Sequence, residues 1–191
     1  NVEAAVQVAH AFTTHRVTVE DDYYTAVDDL KNADRNEDRG AGFIGIQEFG
    51  AGLFYLYVCI DADLLVSNLS ADKELAKKAV AAFIEAAAKI SPKGKQNSYA
   101  SRARASYILA EAGPEAPRTL AAAFQKPVLA LGADGDVAAL SIAQLETLRD
   151  QFGHAYGDAP ARNAVMNVAA GKGTIADIIT LATEAIDGVP A

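Results

Sequence analysis

Few side chains in this sequence have a type and spacing suited to covalent chemistry. His10 and His15, with Asp28 and Asp29 nearby, could ligate a metal ion. Along a strand, however, His10 and His15 point to opposite faces. Neither sits in an H-E-x-x-H or C-x-x-C setting, and His154 lies far off in the tail. A packed or surface role suits each histidine better. Cys59, the one cysteine, has no basic neighbour to lower its pKa and activate it. There is no G-x-S-x-G motif, and no carboxylate pair has an identifiable partner. Gly40-Ala-Gly42-Phe-Ile-Gly45 does fit G-x-G-x-x-G. A dinucleotide site needs a strand before that motif and a helix after it, so that phosphate meets the helix N-terminus. Here a polar loop precedes it and a strand is expected to follow. Its glycines suit a return limb that another chain approaches closely. No catalytic constellation emerges, and neither a cofactor nor a metal is expected.

Contact chemistry is better represented. Between Glu85 and Glu111 no acidic residue occurs, yet Lys89, Lys93, Lys95, Arg102 and Arg104 all do. Gln96, Asn97, Ser98, Tyr99 and Tyr107 are interleaved with them. Lysines and arginines contact phosphate, small polar groups bond sugar and phosphate, and tyrosines stack on bases. On charge alone, a solvated loop accounts for the stretch better. A second group, Tyr23, Tyr24 and Val27, could be a small core or a wedge that separates neighbouring bases, with stacking worth ~1–3 kcal/mol per base.

These residues need elements to position them. Val6 to His15 places Val6, Val8, His10 and Phe12 at period two, and Glu48 to Ile60 is rich in aromatic and β-branched residues. Both are expected to be strands paired with each other. About thirty residues, Arg16 to Gln47, separate them, where a tight hairpin would use two to five. That excursion holds a compact apolar and aromatic cluster, a charged tip (Asp34 to Arg39) and the glycine-spaced return. It has the makings of a projection.

After Ile60 a turn is expected, then a helix from Asp72 to Ile90 carrying Leu75, Ala79, Phe83 and Ala87 at spacing four. Glu74 and Lys78 would pair along it, and Pro92-Lys93-Gly94 would stop it. A third strand is expected between Ser101 and Ala112, and a short helix from Pro117 broken by Pro127. Ser141 to Gln144 fits a capping box, Asp158-Ala159-Pro160 looks like a further helix start, and a last helix is expected from Thr174 to Asp187.

The order is α+β and fits the later part of a ferredoxin-like or RRM-like sheet with a helical C-terminal extension. Residues 1–15 and 48–135 would form that sheet with its cover, 16–47 a long hairpin insertion, and 136–191 the extension. Hydrophobic content of 51% with 22% charged residues excludes wholesale disorder. The net charge of −8 argues against nucleic-acid binding when taken as a total, but is blind to distribution. One cysteine permits no intrachain disulfide and fits a reducing, cytoplasmic compartment. No apolar run approaches a membrane span.

VAHAFTTHRV, DDYYTAVDDL and IGIQEFGAGLFYLYVCID occur in that order, followed by GKQNSYA (Gly94 to Ala100) and RTLAAAFQKPV (Arg118 to Val128). Together they resemble the CasC family, the backbone subunits of the type I-E CRISPR surveillance complex Cascade. The resemblance covers nearly the whole chain but only the C-terminal part of a family member. It implies an RRM-like palm that is incomplete here, with one strand and a covering helix expected from the absent first half. It further implies a non-catalytic RNA-binding subunit that polymerises along guide RNA and kinks it with a thumb. The family's thumb aromatics and valine map onto Tyr23, Tyr24 and Val27, and its return limb onto Phe43, Ile44 and Ile46. The match at GKQNSYA favours RNA contact by Lys93, Lys95, Gln96, Asn97, Arg102 and Arg104. Implied partners are guide RNA, the target DNA strand, further copies of the chain and other Cascade subunits. Two rivals remain. A small α+β enzyme using the glycine-rich limb for a nucleotide requires a helix directly after Gly45. A protein-only assembly module would dock its projection on a partner without meeting RNA.

Overall fold

Three antiparallel strand pairs lie between Val6 and Ile60, and the described helices follow them in the chain. The structure, a computed structural model, describes residues 2–26, 43–130, 135–157 and 162–189. In chain order the elements are β1 (Val6–Val8), β2 (Phe12–Thr13), β3 (Glu20–Ala26), β4 (Phe43–Phe49), β5 (Phe54–Tyr55) and β6 (Val58–Ile60). Then come α1 (Ala62–Asn68), α2 (Lys73–Lys89), α3 (Gln96–Tyr99), β7 (Tyr107–Ala112) and a 3-10 turn (Ala121–Phe124). α4 (Val137–Tyr156), β8 (Arg162–Asn167) and α5 (Ile175–Asp187) complete the order. The α+β class stands, and the strands form small antiparallel pairs.

The three pairs do not form one regular ladder. β1 pairs with β6, β2 with β5 and β3 with β4, each antiparallel. Between the first two pairs, Ala9, His10 and Ala11 stand opposite Leu56 and Tyr57, a one-residue bulge. The expected alternation from Val6 through Phe12 therefore breaks: Val8 is exposed, whereas the Phe12 ring packs toward Tyr55 and Phe124. At the foot of the projection Thr14 is buried. Its amide donates to Leu53 O (2.9 Å), its carbonyl accepts from Val128 N (2.9 Å), and its hydroxyl bonds Ser141 Oγ (2.9 Å).

Side-chain caps set the helix starts. Asp61, Asp72 and Asp136 each accept a hydrogen bond from the first turn that follows, and Thr174 forms a capping box with Asp177. The turn expected after Ile60 is thus the helix α1, short enough that no periodicity announced it. α4 begins at the Asp136 cap, so Ser141 is interior to it and bonds the Val137 carbonyl (2.7 Å) rather than capping. In α2 the buried row is Ala76, Val80 and Ala88, one residue on from the expected Leu75 row, and Leu75 is exposed. Glu74 pairs with Lys77 (3.1 Å) instead of Lys78, because Lys77 also reaches Asp187 of α5.

Two apolar clusters result. Val66, Ala76, Val80, Ile186 and Val189 join α1, α2 and α5. Leu120, Phe124, Val128 and Leu145 join the 3-10 turn to α4, with Tyr55, Tyr107 and Leu109 packed against them. Ile178 and Ile186 are essentially fully buried, each worth roughly 1.5–3 kcal/mol relative to exposure. The tail also departs from an all-helical extension, since β8 lies between α4 and α5 and pairs with β7 from Tyr107↔Asn167 to Ala112↔Arg162. Its backbone finds its ladder partner on a strand distant in sequence, which no local pattern reveals. The strand expected from Ser101 begins only at Tyr107. The Asp158-Ala159-Pro160 helix start lies outside the described residues. No helix among the described residues is long and apolar enough to cross a membrane.

Candidate nucleic-acid interface

The β3–β4 ribbon is in register from Glu20↔Phe49 to Ala26↔Phe43. Tyr23 stands opposite Ile46, and Tyr24 opposite Gly45. Because side chains alternate across a strand, Tyr23 and Ile46 share one face while Tyr24, Gln47 and Phe49 share the other. Tyr23 is 67% exposed, Ile46 57% and Tyr24 48%, so the described part of the projection is an open ribbon rather than a compact cluster. Gly45 is buried beneath the Tyr24 ring, and a Cβ there would overlap the phenol. The glycine is what lets the ring lie across the backbone. Phe43 and Ile44 are placed by register opposite Ala26 and Thr25. Val27 and the charged tip lie outside the described residues.

The second half of the interface is the segment after α2. Gln96 holds it closed: Nε2 donates to Pro92 O (2.6 Å) and Ser101 O (2.9 Å). That amide is therefore a strut of the loop rather than an outward-facing contact. Lys95 (φ 56°) and Ala100 (φ 48°) flank α3 in the left-handed region, which residues with a Cβ rarely adopt. Lys93, Lys95, Asn97, Arg102 and Arg104 are exposed, and no described acidic group pairs with the four cations. Lys89 differs: its ammonium is bound to Glu85, whose carboxyl it holds below the usual range by that hydrogen bond. Arg102 and Arg104 sit in the irregular link before β7 and not on a strand edge.

Tertiary structure brings the two halves together at Tyr99. Its hydroxyl accepts from Gln47 Nε2 (2.9 Å) and donates to Glu48 O (3.1 Å). Its ring lies 6.2 Å from that of Phe49 at 38°. Tyr99, singled out in the sequence as a stacking tyrosine, is thus docked on the Tyr24 face of the ribbon. Gln47 and Phe49 were not foreseen as part of the site. The β3–β4 register would have revealed them, and sequence alone does not supply it.

The other candidate chemistry is not brought together among the described residues, and Asp28 and Asp29 lie outside them. β4 follows directly where a nucleotide-binding motif would need a helix, which removes the ground for the nucleotide enzyme. The His15 ring is taken up by backbone, Nε2 accepting from Leu53 N (3.0 Å) and Nδ1 donating to Arg16 O (2.9 Å). No group of three or more metal-ligating side chains occurs among the described residues.

The family described as CT1975-like protein matches residues 1–188. The chain belongs to the CT1975-like protein family. Among solved structures, one chain titled "CRISPR RNA-guided surveillance complex, pre-nicking" superimposes with a TM-score of 0.78 at 32% identity, covering 96% of this chain and 51% of that one. Another, titled "CRISPR RNA-guided surveillance complex", gives 0.77 at 30% identity, covering 95% of this chain and 70% of that one. This CT1975-like chain therefore spans about half the length of the first. No curated protein matches it. The resemblance to subunits of a CRISPR surveillance complex, drawn from the sequence blocks, holds in these comparisons.

Proposed function

We propose that this chain carries the RNA-facing hairpin of a non-catalytic Cascade backbone subunit of type I-E, similar to CasC. It binds guide RNA independently of guide sequence and lies along it with further copies of itself and other Cascade subunits in the cytoplasm. Residues 16–47 serve as the thumb, 1–15 and 48–135 as the RRM-like palm, and 136–191 pack behind it. The observation that carries this reading is the likeness, over 96% of the chain, to a chain of a CRISPR RNA-guided surveillance complex. The site chemistry supports it. Lys93, Lys95, Arg102 and Arg104 offer cations to phosphates, a contact blind to base identity. Tyr24, exposed on the ribbon face nearest α3, offers a stacking platform. Tyr23 and Ile46, with Ile44 on the same face by register, present an apolar wedge that interrupts the pairing of guide with the target DNA strand, while Phe43 falls on the Tyr24 face and Val27 is assigned by the resemblance alone. Because Tyr23 and Tyr24 face opposite ways, they serve different neighbours rather than one base step.

The test is to purify the complex from cells and measure its absorbance at 260 against 280 nm before and after ribonuclease. A backbone subunit carries nuclease-sensitive RNA. A complex free of nucleic acid would instead identify the protein-only assembly module.

A further inference from the structure

Among the described residues, the side-chain hydrogen bonds tying β4 to a distant segment converge on Tyr99, one on the Gln47 amide and one on the Glu48 carbonyl. An isolated two-stranded ribbon is marginally stable and free to swing. The segment bearing Tyr99 is the reverse. Gln96 bonds both ends of its loop, and left-handed residues bracket α3 at Lys95 and Ala100. Non-glycine residues remain in that region only when their surroundings over-determine them. A stiff loop therefore grips a pliant ribbon through one phenol. Tyr99 keeps 40% of its surface exposed, so the ribbon is held both by its ring contact with Phe49 and by the two directed hydrogen bonds.

We infer that Tyr99 is a positioning residue: it sets the ribbon on the basic loop so that Tyr24 and Lys95 engage one RNA strand at a fixed separation. The inference rests on the RNA-binding reading and specifies how its two halves act as one site. Tyr24 shares the ribbon face that Tyr99 docks against, and Lys95 is the residue preceding α3. Without the latch, ribbon and loop would each still meet RNA, but independently.

Tyr99→Phe tests this in the full chain, because it keeps the ring against Phe49 and removes both hydrogen bonds. Losing two net hydrogen bonds should make the β3–β4 amides exchange about fivefold to 150-fold faster. Binding to a labelled single-stranded RNA should weaken by about the same factor. The decisive reading is a double-mutant cycle. Tyr24→Ala and Lys95→Ala should be coupled in the native background and additive in the Tyr99→Phe background. A merely structural role would lower stability without abolishing that coupling. Gln47→Leu, which cuts one of the two bonds from the other side and leaves the Glu48 carbonyl bond, should move both readings in the same direction by a smaller factor. If native protein binds RNA but Tyr99→Phe leaves exchange and coupling unchanged, the positioning role is overturned while the RNA-binding reading stands. If native protein binds no RNA, both fall together.

Discussion

Replacing Gly45 by alanine should displace one side chain and little else. A Cβ at this position would come well under 3.0 Å from three atoms of the Tyr24 phenol, a clash that the ring can relieve by swinging off the ribbon. Tyr24 is already half exposed. If the move uncovers roughly 40 Å² of apolar surface, the loss at about 25 cal/mol per Å² is about 1 kcal/mol. Alanine also removes the entropic penalty of a glycine within a strand, about 0.5–1 kcal/mol, which offsets most of that loss. Urea unfolding should therefore report a stability within about 1 kcal/mol of native. Binding should respond far more. A base stacked on Tyr24 is worth about 1–3 kcal/mol, so displacing the ring should weaken RNA affinity about fivefold to 150-fold. Fluorescence anisotropy on a labelled single-stranded RNA at fixed salt measures this, with Tyr24→Ala as the companion variant. A stability loss of about 3 kcal/mol would place Gly45 in a core and refute the open ribbon. Native affinity in Gly45→Ala beside weak binding in Tyr24→Ala would show that the ring works without its seat on the glycine.

Lys93→Glu with Lys95→Glu should flatten the dependence of RNA affinity on salt by about 0.7 in log–log slope per lost phosphate contact; an unchanged slope would return both lysines to solvent. Val80→Ala should cost about 1.5–3 kcal/mol in urea unfolding and Leu75→Ala under about 0.5, since Val80 is 4% exposed and Leu75 47%; equal losses would contradict the observed face of α2. Ser141→Ala should cost about 1–3 kcal/mol by stranding the buried Thr14 hydroxyl, and adding Thr14→Val should recover part of it in thermal melts. A double variant as unstable as the single one would mean that the stranded Thr14 hydroxyl is not the source of the loss.

Sequence alone determined the elements whose causes are local. α2 and α5 were legible because aspartate or threonine caps, a sustained spacing of four and a proline or glycine stop all lie within one stretch of chain. The long excursion between paired strands, and the acid-free run from Lys89 to Arg104, were likewise visible as composition. Tertiary structure decided everything that depends on which segments meet. Leu75 and Ala76 head adjacent rows of α2 with the same period, and only packing against α5 selects the second. β8 is a strand because β7 offers it a ladder. A one-residue bulge at His10 shifted the alternation beyond it, since a period of two reverses every later side chain for one inserted residue. The same sensitivity hid the site. The seat of Tyr24 on Gly45 requires the β3–β4 register, and the grip of Tyr99 on Gln47 and Glu48 joins residues about fifty positions apart through hydrogen bonds that no periodicity encodes.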